Sequence, residues 1–321
     1  MSVGRLVLNA FYLCLLLLVF NLVSIAITRS LLLRTDLTFP TGTNTLVLGD
    51  SQVEWAVNDS LIPRTVNLAQ GGEAYLYSYA KAKHFFEANP DLDTLWLSFN
   101  YMALDHVQDT LTRSDRYIKF KLPFNFFLLD ATDACIFLGL PKAYITLAQT
   151  PFIRWGFIRK AVRGPTNYKD LNFGGYSGTT EQKLKKDLSV RANEQKLGTT
   201  RPPEFGAARD QVEYLQRTID LCRANGVTCI LLNTPVHPVA QKGSDTTAYY
   251  AYIQQHFPDQ PFFDHSSWQF PDSCFRDAVH LNAHGATRYT TRLEKLRSKG
   301  WPTLDRQGRT PEERDNAVQQ Q

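Results

Sequence analysis

The chain opens on a stretch that is hard to keep in water. Between Arg5 and Arg29 no residue is charged, and Leu6–Ile27 is apolar almost throughout. As a helix rising ~1.5 Å per residue it is roughly 33 Å long, enough to cross the hydrocarbon core of a bilayer. It lacks the polar face of a helix packed at the edge of a soluble core. A secretory signal peptide is the competing reading. The apolar run is longer than the usual core of such a peptide, however, and Ser24-Ile25-Ala26 is a poor cleavage site. Residues 1–30 are therefore expected to form an uncleaved transmembrane anchor. Arg5 precedes the run and Arg29 and Arg34 follow it, so flanking charge barely favours either orientation. The short N-terminal flank fits a single-pass signal anchor with the main domain on the extracytoplasmic side.

Beyond a short stalk at 31–43 the pattern changes to alternating strands and helices. Thr45–Leu48, Thr65–Ala69, Thr94–Phe99 and Val227–Leu232 are short apolar runs bounded by turn residues, and Pro261–Asp264 is a candidate last strand. Ala74–Glu87 reads as a helix that stops before Asn89-Pro90. Val212, Leu215, Ile219 and Cys222 fall at helical spacing ahead of the Asn225-Gly226 stop signal, and His284–Lys299 reads as a last helix. This alternation predicts an α/β domain over 44–300 with a mostly parallel sheet and helices on both faces. The rhythm breaks at about 104–205. Ten aromatics lie between Tyr117 and Phe157 there, with Arg154, Arg159, Lys160 and Arg163 among or beside them. An aromatic-rich helical insertion is expected: a cap over a pocket, a surface resting on lipid beside the anchor, or a subdomain with its own small core. The Gly174–Gly178 stretch has no preceding strand and no following Lys, so it reads as a loop and not a phosphate cradle. The polar tail 301–321 is expected to be disordered.

Composition removes several classes. Lys+Arg number 35 against 31 Asp+Glu, and a net charge of +4 without a basic stripe argues against nucleic acid as a partner. Five cysteines with no CxxC pair exclude a disulfide scaffold and give no sign of structural zinc. Cys222 and Cys229 flank a helix–strand turn and read as two separate buried thiols, with pairing as the alternative. His280, His284 and Asp277 have metal-like spacing, but no third strong ligand is evident, so neither metal nor cofactor is expected.

Four short patches each sit just beyond a strand or before a helix. Gly49-Asp50-Ser51 closes the first strand, where ligands bind in open α/β sheets. Asn67-Leu68-Ala69-Gln70-Gly71-Gly72 follows the second, and its glycines let backbone approach a ligand. Ser98-Phe99-Asn100 ends the third with a side-chain amide. Asp277-Ala278-Val279-His280 precedes the last helix and spaces a carboxylate to hold one imidazole nitrogen while the other acts as base. Each alone is a common turn, N-cap or structural hydrogen bond.

Taken in order, the four patches resemble the four blocks of the SGNH (GDSL-type) hydrolase superfamily over about residues 44–298, with the insertion unmatched. The resemblance implies a three-layer α/β/α sandwich. It implies Ser51 as nucleophile, His280 as general base and Asp277 as the residue orienting His280. The implied oxyanion hole is the N–H groups of Ser51 and Gly72 with the side-chain amide of Asn100. Two positions depart from the family's pattern: Ser98-Phe99-Asn100-Tyr101 stands for Gly-x-Asn-Asp, and Gln52 stands for Leu. Ala278-Val279-His280-Leu281-Asn282 followed by Gly285-Ala286 is also similar to membrane-anchored SGNH proteins of the bacterial cell envelope, some of which partner membrane-bound O-acyltransferases. The expected function is a membrane-anchored serine esterase or O-acyltransferase acting on acyl, above all acetyl, esters of an envelope glycan. The alternative is a non-catalytic SGNH-like module that binds glycan or docks a membrane acyltransferase. His237, after the Val227–Leu232 strand, is a further candidate substrate contact.

Overall fold

A computed structural model of the protein describes residues 3–188, 206–241 and 246–299. The tail expected to be disordered, 301–321, lies outside the described residues, as does the last part of the insertion. The chain divides into two compact units, one formed by Phe39–Thr110 with Gly174–Gln321 and the other by Met1–Thr38 with Leu111–Phe173.

The larger unit is α/β, built on one five-stranded sheet. Its strands are β1 (Thr45–Leu48), β2 (Thr65–Asn67), β3 (Thr94–Ser98), β4 (Thr228–Asn233) and β5 (Phe262–Asp264). They lie in the order β2-β1-β3-β4-β5, and every pairing is parallel. Successive side chains along a strand point to opposite faces. Val47, Trp96, Ile230, Leu232 and Phe263 form one core with Val53 and Ala56 of helix Ser51–Ala56 and Tyr289 and Leu293 of helix Ala283–Ser298. The intervening residues Leu46, Leu48, Leu95, Leu97, Cys229 and Leu231 are buried as well. Helices Tyr75–Ala88 and Arg209–Ala224 pack on each other, and the second contacts β4. Strands buried on both faces read as continuous apolar runs, which is why these four- to six-residue segments do not alternate.

Two details fix the strand ends. β2 stops at Asn67, two residues before its apolar run does, because the Asn67 side chain turns back and accepts from Ala69 N at 2.9 Å. Its amide donates to the Val57 carbonyl at 2.8 Å, which ties this loop to the end of helix Ser51–Ala56. After β1, Gly49 has φ +127°, and a Cβ there would lie 2.3 Å from the Ser98 Cβ. Only glycine fits a turn that is both left-handed and pressed against the neighbouring strand. The sheet order changes direction at β1, so the carboxyl ends of β1 and β3 flank the switch point where open α/β sheets bind ligands.

The smaller unit contains helix Val3–Leu33, uncharged between Arg5 and Arg29 and, over its most apolar window, of mean hydropathy 2.6. It is long and apolar enough to cross a membrane, and most of its side chains are exposed. Its C-terminal half is held by the insertion: Asn21 donates to the Ala148 carbonyl at 3.0 Å, in helix Pro141–Ile153. The expected stalk begins as the last turn of this helix. Thr35 then shares a hydrogen bond with Thr166 at 3.1 Å, and Asp36 N donates to the Thr166 carbonyl at 3.0 Å. The insertion is helical, with Asp115–Asn125, Pro141–Ile153 and Trp155–Arg163 its longer elements. At its centre the Arg154 guanidinium lies over the rings of Phe124 and Phe157, and burial lowers its pKa to about 10.

Candidate active site

The Gly49-Asp50-Ser51 turn is organised by Asp50. Its side chain caps helix Ser51–Ala56 by accepting from Gln52 N at 3.0 Å. The same carboxylate accepts from Ser98 Oγ at 2.7 Å and from Asn100 Nδ2 at 2.7 Å. One side chain thus joins the carboxyl end of β1 to that of β3. The Ser98 hydroxyl gives Asp50 a partner that a glycine at this position would not. Asn100 in turn caps the following helical turn, accepting from Ala103 N at 3.0 Å.

Ser51 stands at the start of its helix. Asn67 holds that helix from below, and Thr290 holds its far end. Thr290 Oγ1 donates to the Ala56 carbonyl and accepts from Asn58 N, both at 3.0 Å. Because Thr290 belongs to the last helix, the element carrying Ser51 is fastened to the one that follows His280.

His280 reaches Ser51 across the whole sequence of this unit. Its Nε2 lies 2.8 Å from Ser51 Oγ, and its Nδ1 lies 2.8 Å from Asp277 Oδ1. The loop is closed by a bridge between Phe275 and Leu281 and by Arg276 N donating to the His280 carbonyl at 2.9 Å. Asp277 Oδ1 also accepts from the backbone N–H groups of Val279 and His280 at 3.1 and 3.0 Å. Burial pushes the Asp277 carboxyl pKa up, but the hydrogen bond and charge of His280, the Val279 N–H and Arg276 outweigh it and leave the pKa lowered. A carboxylate that stays ionised beside Nδ1 fixes the tautomer that leaves Nε2 free to take a proton. Asn282 then caps the last helix through Gly285 N, and at Gly285 any side chain would strike the Cys274 carbonyl at 2.1 Å.

The two glycines beside Ser51 take different places, and His237 sits apart from its expected role. A Cβ at Gly71 would approach the Ser51 Cβ to 3.7 Å, whereas one at Gly72 would meet nothing within 4 Å. Gly71 is therefore the glycine against Ser51. Gly72, with φ +66°, supplies the left-handed turn behind it. His237 does not present a ring nitrogen to a substrate. Its Nδ1 accepts from Val239 N at 3.2 Å, and its Nε2 faces Asp272 Oδ1 at 3.2 Å. It caps its own loop, and its neighbours Val236 and Ala240 line the adjoining cavity instead.

Sequence reading did not single out Trp55 or Arg276. The Trp55 ring lies 5.8 Å from that of His280, and the Arg276 guanidinium stacks over Trp55 at 4.1 Å while its NH1 lies 3.6 Å from Asp277. Trp55 follows Ser51 by one helical turn and Arg276 directly precedes Asp277, so each was within reach of an argument from spacing.

On the other flank Gln52, Asn100 and Val279 line a cavity of about 80 Å³ together with Asn233, Tyr249 and Tyr250. One water needs roughly 10–15 Å³ on this measure, so the space admits a substrate group. Among the described residues no group of His, Cys, Asp or Glu is arranged to hold a metal ion. Cys222 and Cys229 are both buried and unbridged.

A model of an uncharacterised protein family matches residues 181–299, less than half of the chain, in the stretch that holds Asp277 and His280. No curated protein matches the chain.

Proposed function

We propose that the protein is a membrane-anchored serine esterase or O-acyltransferase of the SGNH type, and that its larger unit is that family's three-layer sandwich. The observation that carries this reading is the unbroken chain of contacts from Ser51 Oγ to His280 Nε2 and from His280 Nδ1 to Asp277, each close to 2.8 Å. A serine hydroxyl is a poor nucleophile until an adjacent base takes its proton. In this reading His280 Nε2 accepts that proton as Ser51 Oγ attacks an ester carbonyl, and Asp277 stabilises the imidazolium that forms. The imidazolium returns the proton to the departing alcohol, leaving an acyl-serine. Water or a sugar hydroxyl then attacks that acyl-serine with His280 again as base.

The oxyanion is assigned to the Ser51 N–H and the Asn100 amide, with the Gly71-Gly72 turn alongside. Asn100 is buried, and its amide nitrogen donates to Asp50 at 2.7 Å and, at a long 3.5 Å, to Ser98 Oγ, a contact that an oxyanion would replace in this reading. Trp55 and Arg276 wall the imidazole on one side, restricting the water that reaches it.

The substrate class, acetyl or another short acyl on an envelope glycan, is supported by the apolar N-terminal helix together with the four sequence blocks. In this reading the larger unit lies on the extracytoplasmic side. The test is ester cleavage by the full chain in lipid nanodiscs, with 4-nitrophenyl acetate as the probe. Ser51→Ala should reduce cleavage to background, and unchanged cleavage would remove Ser51 as nucleophile.

A further inference from the structure

The residue after the nucleophile is out of keeping with its surroundings. Gln52 is only 9% exposed, it lines the cavity beside Ser51, and its Oε1 has no hydrogen-bond partner. A buried amide left unsatisfied lowers stability, and an apolar side chain of similar size would avoid that cost. As placed the oxygen is fully buried; rotation about the terminal bond exchanges it with the NH2 group and brings it to the cavity. An acetyl group alone has no donor to offer that oxygen. A ligand that completes Gln52 therefore brings an O–H or N–H of its own.

The rest of the lining narrows the class. Among the described residues no Lys, Arg, Asp or Glu lines the cavity; besides Gln52 its polar groups are the neutral side chains of Asn100, Asn233, Ser266 and the tyrosines. Tyr101, Tyr249 and Tyr250 add aromatic surface. Amides and aromatic rings without a counter-charge match a hydroxylated, uncharged ring, whereas a uronate would enter with its carboxylate unpaired.

Resting on the reading of Ser51 and His280 as the reaction centre, we propose that this cavity is a subsite for a neutral hexopyranose of the substrate glycan and that Gln52 is its specificity-determining residue, exchanging hydrogen bonds with a ring hydroxyl.

The experiment uses the full chain in lipid nanodiscs, since alkyl-glycoside detergents would compete for the site. Saturation-transfer NMR is recorded with the methyl glycosides of glucose, galactose and mannose, and with methyl glucuronide as the charged counterpart. At least one neutral glycoside should receive saturation and the glucuronide should not. Gln52→Leu should weaken that binding about tenfold or more while raising the melting temperature, because it removes the unsatisfied amide. A raised melting temperature also shows that lost binding is not lost folding. Absence of transfer to all three neutral sugars, equal transfer to the glucuronide, or unchanged binding by Gln52→Leu would each overturn the proposal. Labelling of wild-type Ser51 by a fluorophosphonate probes the catalytic reading separately. Labelling without sugar binding removes the subsite alone, and sugar binding without labelling removes the catalytic reading alone.

Discussion

Asp50 carries more of the site's geometry than its place in a common turn tripeptide suggests. One carboxylate caps the helix of Ser51 and holds both Ser98 and Asn100, so the proposed oxyanion donor and the proposed nucleophile share a single support. Asn100→Ala should slow ester cleavage by roughly 10²–10³ with little change in KM, the loss expected for one preorganised donor. His265 sets a different dependence. Burial, with the charge of Arg292, lowers its pKa from 6.5 to about 3, so it is neutral in the folded protein. The unfolded chain binds its proton first, and stability therefore falls as pH drops from about 6.5 towards 3, by up to about 1.4 kcal/mol per unit. Urea unfolding at pH 7 and pH 5 should show a loss about 2 kcal/mol larger for the wild type than for His265→Gln. Asp277, with its lowered carboxyl pKa, contributes stability above the ordinary carboxylate range that is lost only at still lower pH, as the group protonates in the fold. At this scale the meeting of Ser51, Asp277 and His280 was legible through the order of the four blocks and their resemblance to a known family. The left-handed turn at Gly72 was not, since two adjacent glycines look alike in sequence. His237 was misplaced for a similar reason: spacing puts it near the site, but its partners Val239 and Asp272 are set by local loop geometry.

Elements hold these residues through contacts that span the sequence. Thr290 satisfies both Ala56 and Asn58, so Thr290→Val leaves a buried carbonyl and a partly buried N–H unpaired, at about 1–3 kcal/mol each. Ester cleavage should fall with it through kcat more than KM, because the Ser51 helix loses its tie to the last helix. Behind the Gly71-Gly72 turn, Lys81 and Glu73 form an ion pair with both side chains fully buried, and Lys81 also donates to the Leu68 carbonyl at 3.0 Å. Lys81→Met should destabilise the protein by about 3–5 kcal/mol by leaving Glu73 uncompensated. The double variant with Glu73→Leu should recover most of that loss in chemical denaturation. The strands and the helices Tyr75–Ala88 and Ala283–Ser298 were readable from apolar runs and stop signals to within a residue or two, whereas helix Thr246–His256 was not read. The ties between them were not, because a threonine in an amphipathic helix carries no mark of the carbonyl it will meet.

The molecule as a whole joins an α/β unit to a second unit that includes the apolar N-terminal helix. The grouping of residues 1–38 with 111–173 was not legible in sequence: it depends on contacts such as Asn21 with Ala148, for which neither segment carries a pattern. Large apolar side chains remain exposed on the insertion, among them Phe152, Trp155 and Val162, in the unit that also holds the apolar helix. Aromatic and basic residues of this kind suit a membrane–water interface. With the chain in nanodiscs of brominated lipid, Trp155 fluorescence should be quenched relative to unbrominated lipid, measured as the difference between wild type and Trp155→Phe. Equal quenching in the two would place this residue away from lipid.

The central claim concerns Ser51, and reaction with a fluorophosphonate followed by intact-mass and peptide analysis tests it most directly. One adduct, on Ser51, that is lost in His280→Ala is the expected result. A folded protein that takes no adduct, or an adduct that His280→Ala leaves unchanged, would contradict it.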